Sequence, residues 1–155
     1  MGMIFEARRL TAGQAAVLEA DPAAAAALEQ EGDVLDLDKA WHGIHFLLTG
    51  SAWEIPAGAG EAVLGGEPIG ADAGYGPHRL LRADRVRAVA AALSEVTAEA
   101  LGVRYDPGAL LAAEIYPQVW DEDDFASYLL PNFLSLRDFY LTAAERNADV
   151  LLVIT

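Results

Sequence analysis

The sequence predicts an α+β fold, a single compact domain in which a small mixed sheet packs against several helices. Three observations lead there. A strand-like run, MIFEARRL at 3–10, and a continuously apolar run, VLLVI at 150–154, bracket the chain. Between them capped helix starts recur, at Thr11, Asp21-Pro22, Asp38 and Asp106-Pro107. At 155 residues, with no second domain discernible, the chain has the size of one domain and can bury a sizeable core.

In order, MIFEARRL has the bulk and partial alternation of a strand. TAGQ then sets threonine and glutamine at the spacing of a capping box, predicting a helix over 12–20. Asp21 and Pro22 start a second helix over about 22–30, ending near Gly32. DVLDL is a short strand or extended lead-in, after which Asp38 is expected to cap a helix that ends at Gly50. Glycine and proline crowd residues 51–78, so this stretch reads as a long shaped loop with a short strand around Ala62-Val63-Leu64. From Ala83 the spacing of Val86, Val89, Ala90 and Leu93 marks one helix face, followed by a short helical turn at Ser94 or Thr97 and a helix from Pro107 to about Ala113. Pro117 breaks any helix in EIYPQVW. The acids at 121–124 suit the positive end of a following helix, which Pro131 should kink or break. The apolar 150–154 run predicts a strand covered on both faces.

Composition narrows the function classes. Hydrophobic residues at 54% exclude low-hydrophobicity disorder. With 24 acidic against 10 basic residues, the net charge of -14 repels phosphate backbones and anionic lipid, so neither nucleic acid nor membrane is an expected partner. The absence of cysteine rules out disulfides, thiolate nucleophiles and cysteine-ligated metals. No signal-like apolar segment opens the sequence, no run approaches a membrane span, and Glu6 spoils a myristoylation pattern, so the expected location is cytoplasmic. Arginine supplies nine of the ten basic residues and alanine is abundant, a bias associated with GC-rich bacterial genomes.

The stretch LDLDKAWHGIHFLLTG at 35–50 concentrates the unusual side chains. With Asp38 at zero and a step of ~100° per residue, His42 falls near ~40°, His45 near ~340° and Thr49 near ~20°, one polar stripe on an otherwise apolar helix. Asp38, His42 and His45 could offer a carboxylate and two imidazoles, but Asp38 is wanted as a cap and HxxH lacks the specificity of HExxH, so no metal is assigned. A histidine could serve as general base, oriented by Asp36, Asp38 or Glu114. No GxSxG or comparable nucleophile motif accompanies it, and no cofactor is called for. The third reading is structural, with both histidines bonded inside the fold. Two further aromatic clusters, GYGPH at 74–78 and EIYPQVW at 114–120, couple rings to turns, and the helix stripe is expected to meet the Tyr75 loop and the Tyr116–Trp120 turn in a shallow cleft.

These motifs, LDLDKAWHGIHFLLTG, AVLGGEPIG, GYGPHRLL and EIYPQVW followed by an acidic helix and a hydrophobic strand, together resemble the bacterial YfbM-like family, a domain of unknown function. The resemblance runs over nearly the whole chain and rests on Asp36, Asp38, Lys39, Trp41, His42, His45, Gly50, Gly65, Gly66, Tyr75, Gly76, Tyr116, Pro117 and Trp120. It implies a small cytoplasmic α+β domain and no particular activity, substrate or cofactor. Two function classes remain. One is a non-catalytic binding protein whose acidic surface docks a basic protein partner. The other is a small-ligand or hydrolytic pocket built on His42 and His45 with Tyr75, Tyr116 and Trp120, the candidate cleft also including Asp38, Lys39, Trp41 and Glu114. Catalytic residues and oligomeric state stay unassigned, and the absence of catalytic spacing favours the first class.

Overall fold

The two runs that bracket the sequence become neighbours. β1 (Phe5–Arg9) and β5 (Val150–Ile154) pair antiparallel, with Phe5 opposite Ile154 and Arg9 opposite Val150. A computed structural model of the chain describes residues 2–28 and 33–155. From β1 the chain enters α1 (Ala12–Ala20), whose capping box is fully formed: the Gln14 amide donates to Thr11 Oγ1 and the Thr11 amide to Gln14 Oε1. A 3-10 turn at Pro22–Ala24, capped by Asp21, leads into α2 (Ala25–Leu28). The rest of the expected 22–30 helix and its end near Gly32 lie outside the described residues.

β2 (Val34–Asp38) precedes α3 (Trp41–Thr49), and a short α4 (Glu61–Leu64) precedes β3 (Glu67–Asp72) and β4 (Pro77–Leu81). Next come α5 (Ala83–Ser94), α6 (Ala98–Arg104) capped by Thr97, and α7 (Pro107–Ala112) capped by Asp106. A π-helical turn at Phe125–Leu129 runs into α8 (Leu130–Glu145). The sheet order is β2-β1-β5-β4-β3, and every pairing is antiparallel rather than mixed.

Strand alternation explains why β5 reads as continuously apolar. Val150, Leu152 and Ile154 join Phe5, Ala7, Leu37 and Leu81 in the larger core, under α3, α5 and α8. Leu151 faces the other way and meets Leu10, Leu18, Ala25, Leu28 and Leu80 beneath α1 and α2. All five β5 residues are buried, as expected for a strand covered on both faces. No helix among the described residues is long and apolar enough to cross a membrane.

Two parts of the 51–78 stretch differ from the sequence reading. Ala62-Val63-Leu64 is helical, not a strand, its carbonyls held by distant side chains: the Tyr140 hydroxyl donates to Ala62 O at 2.6 Å and Arg79 donates to Val63 O and Gly65 O. Residues 67–81 form a β-hairpin where a loop was expected. Gly74 and Gly76, at φ 129° and 104°, make its turn, closed by Asp72 Oδ1 on the Gly74 amide at 2.7 Å. Pro68 and Gly70 are tolerated in β3 because it is an edge strand.

Pro131 does not break the helix. It stands at the start of α8, just past the π-helical turn whose wider spacing brings the Leu130 amide to Phe125 O, so its missing N–H removes little. The acidic run before it bonds within itself, Asp124 Oδ2 accepting the Asp121 amide at 2.8 Å and Asp121 Oδ1 the Asp123 amide at 2.9 Å, while Asp124 at the N-cap of the π-helical turn makes no side-chain cap bond.

Candidate functional site

The helix α3 is buried nearly all round, and its apolar residues explain why. Trp41, Ile44 and Leu47 sit in the larger core, while Gly43 lets Trp120 and Leu129 approach so closely that a Cβ there would stand 2.9 Å from each. Gly43→Ala is therefore expected to destabilise the fold by about 1–3 kcal/mol, read by urea unfolding, because an extra methyl in a filled core forces side chains off their rotamers. An unchanged midpoint would show that the Trp120 contact is slack.

Asp38 does not cap this helix. It ends β2 at φ 50°, and its carboxylate accepts the Tyr128 hydroxyl at 2.7 Å, which in turn accepts the Lys39 amide at 3.0 Å. The N-cap position belongs to Ala40, which offers no side-chain bond. The polar stripe is consequently His42, His45 and Thr49.

Each member of that stripe bonds to main chain. His42 Nδ1 accepts the Tyr116 amide at 2.8 Å, which fixes the proton on Nε2, and Nε2 donates to Ala52 O at 3.0 Å. His45 Nε2 donates to Glu54 O at 2.8 Å, leaving Nδ1 buried without a partner among the described residues. Thr49 Oγ1 lies 2.9 Å from both His45 O and Ser51 O and accepts the Ser51 amide at 3.1 Å. Gly50, at φ 75°, ends the helix and turns the chain back along it. The stripe thus clips residues 51–54 along α3.

Burial keeps both imidazoles neutral. Desolvation pulls the His42 pKa below its ordinary value and carries His45 down to about 4, the bond to Glu54 O opposing it. No carboxylate bonds either ring among the described residues, and no three His, Asp or Glu side chains there gather in a metal-binding group. Among the described residues, neither histidine lines any of four surface cavities of 300–780 Å³.

The clip presents an aromatic stack. Trp41 lies parallel to His42 at 4.8 Å and to Tyr116 at 6.1 Å, and Trp53 rests 4.5 Å from His42 with 62% of its surface exposed. Tyr116 is further tied down by its hydroxyl, which accepts the Met3 amide at 3.0 Å, while Trp41 Nε1 donates to Met3 O. Trp120 is buried and donates to Ile115 O. Lys39 lies with the Tyr116 hydroxyl against Gly2.

Among the residues singled out from sequence, Trp41, His42, Tyr116 and Trp120 come together around α3, and Asp38 and Lys39 meet Tyr128 beside them. Tyr75 is exposed at the hairpin turn and has no ring contact with this cluster among the described residues. Glu114 is exposed, at φ 56°, and bonds through its amide to Leu111 O rather than orienting a histidine. The sequence motifs gave neither Trp53 nor Tyr128 a place in the cleft; the signal for Trp53 was its position just past the Gly50 stop, where a reversing chain falls back on the helix.

Comparison with known proteins agrees with this architecture. The fold is similar to the crystal structure of YfbM from Escherichia coli, a protein of unknown function, with a TM-score of 0.80 over 98% of this chain and 99% of that one at 23% identity. No curated protein matches the sequence. A family model described as a domain of unknown function, DUF1877, matches residues 1–153, and the chain therefore belongs to the DUF1877 family.

Proposed function

We propose that this protein is a bacterial cytoplasmic binding module, non-catalytic, that docks a basic protein partner on the acidic, aromatic end where α3 begins. The observation that carries the reading is Trp53: a largely exposed tryptophan held on a rigid stack of His42 and Trp41. Such a ring offers large contact area at little entropic cost and attracts cationic side chains to its face.

The acidic residues lie at hand. The 114–120 turn that packs on α3 runs directly into Asp121–Asp124, and Asp38 is tied to Tyr128 one turn further along. Against catalysis stands His42, both of whose nitrogens are committed to main chain. The alternative, a ligand or hydrolytic pocket on the two histidines, draws support from the unpartnered His45 Nδ1.

Arginine- and lysine-rich peptides are the probes. Trp41 and Trp120 are buried, so quenching of the accessible tryptophan fluorescence reports Trp53. Binding is expected to weaken steeply between 50 and 300 mM salt by roughly tenfold or more, and to fall with Trp53→Ala or with Glu54→Gln combined with Glu122→Gln. Trp53→Ala should leave stability within about 1 kcal/mol, since the ring is mostly exposed. Binding that ignores salt and vanishes with His45→Gln would instead support the pocket.

A further inference from the structure

Three arginines, Arg9, Arg82 and Arg146, line one open groove of about 780 Å³ at the end of the sheet where β1 and β4 stop and β5 starts. Two of them reach the same atom: Arg9 Nη2 lies 3.2 Å and Arg146 Nη1 2.7 Å from Asp33 Oδ2. Across the groove Arg82 lies 3.1 Å from Glu19 and 3.6 Å from Asp149, whose other oxygen accepts the Ala83 amide. Among the described residues, the ionisable groups lining the groove are these three arginines and three acids, summing to zero on a chain of net charge -14.

Two guanidinium groups brought onto one oxygen repel each other and stay together only while an anion stands between them. Asp33 supplies that anion, yet its side chain is 53% exposed and that of Arg146 57%, so the pair exchanges readily with solvent. Arg9 does not share this freedom. Its side chain is 18% exposed, its guanidinium sits 4.7 Å over the Phe139 ring, and its Nε is buried without a partner among the described residues. A fixed cation with an unused donor, a second cation facing it and an easily displaced internal carboxylate together make an anion cradle.

We propose that the Arg9–Arg146 fork is an oxyanion site, taking the phosphate or carboxylate group of a small ligand in place of the Asp33 carboxylate, with the groove toward Arg82 receiving the remainder. It is separate from the Trp53 surface and does not depend on it.

Inorganic phosphate and succinate are the probes, titrated at constant ionic strength against wild type, Asp33→Asn, Arg146→Gln and, outside the groove, Arg137→Gln. Thermal unfolding and the ¹H–¹⁵N signals of the Arg9 and Arg146 side chains are the readouts. One of the two anions is expected to raise the melting temperature of wild type and Arg137→Gln and shift the Arg9 and Arg146 signals, to bind Asp33→Asn at least about tenfold more tightly, and to have no effect on Arg146→Gln. Which anion does so distinguishes a phosphate from a carboxylate ligand. Equal binding by wild type and Asp33→Asn, a response that survives Arg146→Gln, or no change beyond a chloride control would each overturn the proposal. The wild-type Arg9 and Arg146 signals decide the matter even where Asp33→Asn is poorly folded.

Discussion

Between pH 7 and pH 4 the protein is expected to lose about 3 kcal/mol of unfolding free energy through His45 alone. The imidazole takes up a proton near pH 6.5 in the unfolded chain but only at about 4 in the folded one, where burial excludes the charge and outweighs the opposing pull of the Nε2 bond to Glu54 O. Across that window the unfolded state binds more protons, so stability rises with pH and is lost as pH falls. Above pH 6.5 the contribution is fully present. His42, whose pKa is lowered for the same reason, adds in the same direction. In His45→Gln the amide can still donate to Glu54 O and cannot be protonated. Urea unfolding at intervals from pH 7.5 to 4 should therefore show a shallower acid limb for the variant, the gap from wild type closing as pH falls. Parallel limbs would mean that the ring is more open to water than its 1% exposure implies.

Replacing Arg79 by methionine is expected to cost about 2–4 kcal/mol, because it strips the donors from two carbonyls at the end of α4, each worth about 1–3 kcal/mol when left unpaired in the interior. Arg79 Nη1 donates to Val63 O at 2.9 Å and to Gly65 O at 2.8 Å. Burial lowers its pKa to about 10, which still leaves it charged at neutral pH. The Tyr140 hydroxyl closes the same helix end through Ala62 O, and Tyr140→Phe should cost about 1–2 kcal/mol. The two losses should fall short of additive in the double variant, since either one already frays α4. Urea unfolding of the three variants measures this. A cost below about 1 kcal/mol for Arg79→Met would show that water replaces the guanidinium at those carbonyls.

The elements that sequence exposed most clearly are those whose signals are local. Thr11 with Gln14, Asp21 with Pro22, Thr97 and Asp106 with Pro107 all cap where their spacing says they should, since a cap needs only a few consecutive residues. The β3–β4 hairpin was hidden because its strands hold glycine and proline, which local propensity counts against a strand; its place is secured by β4 pairing with β5, some 70 residues away. Asp38 misled for a similar reason. A carboxylate before a helix is a cap by default, and Tyr128, 90 residues on, takes it instead. In the candidate site the histidine stripe and its meeting with Tyr116 were legible from helical angle and ring content. Trp53 and the Arg9–Arg146 fork were not, because each depends on how distant loops are folded back.

The placement of β5 has a consequence for how the molecule comes into being. β1 and β4 are kept apart by β5, so the β1–β2 and β3–β4 ladders share no strand pairing until residues 150–154 slide between them. Without residues 150–154 the chain holds two disconnected strand pairs and two half-built interiors, and contacts of such long sequence separation form slowly. One five-residue segment then zips both ladders and seals both cores at once. Folding of the sheet thus turns on a single keystone step, and a chain lacking VLLVI presents exposed apolar faces on both sides of an unfinished sheet, the kind of surface by which quality control tells incomplete products from finished ones.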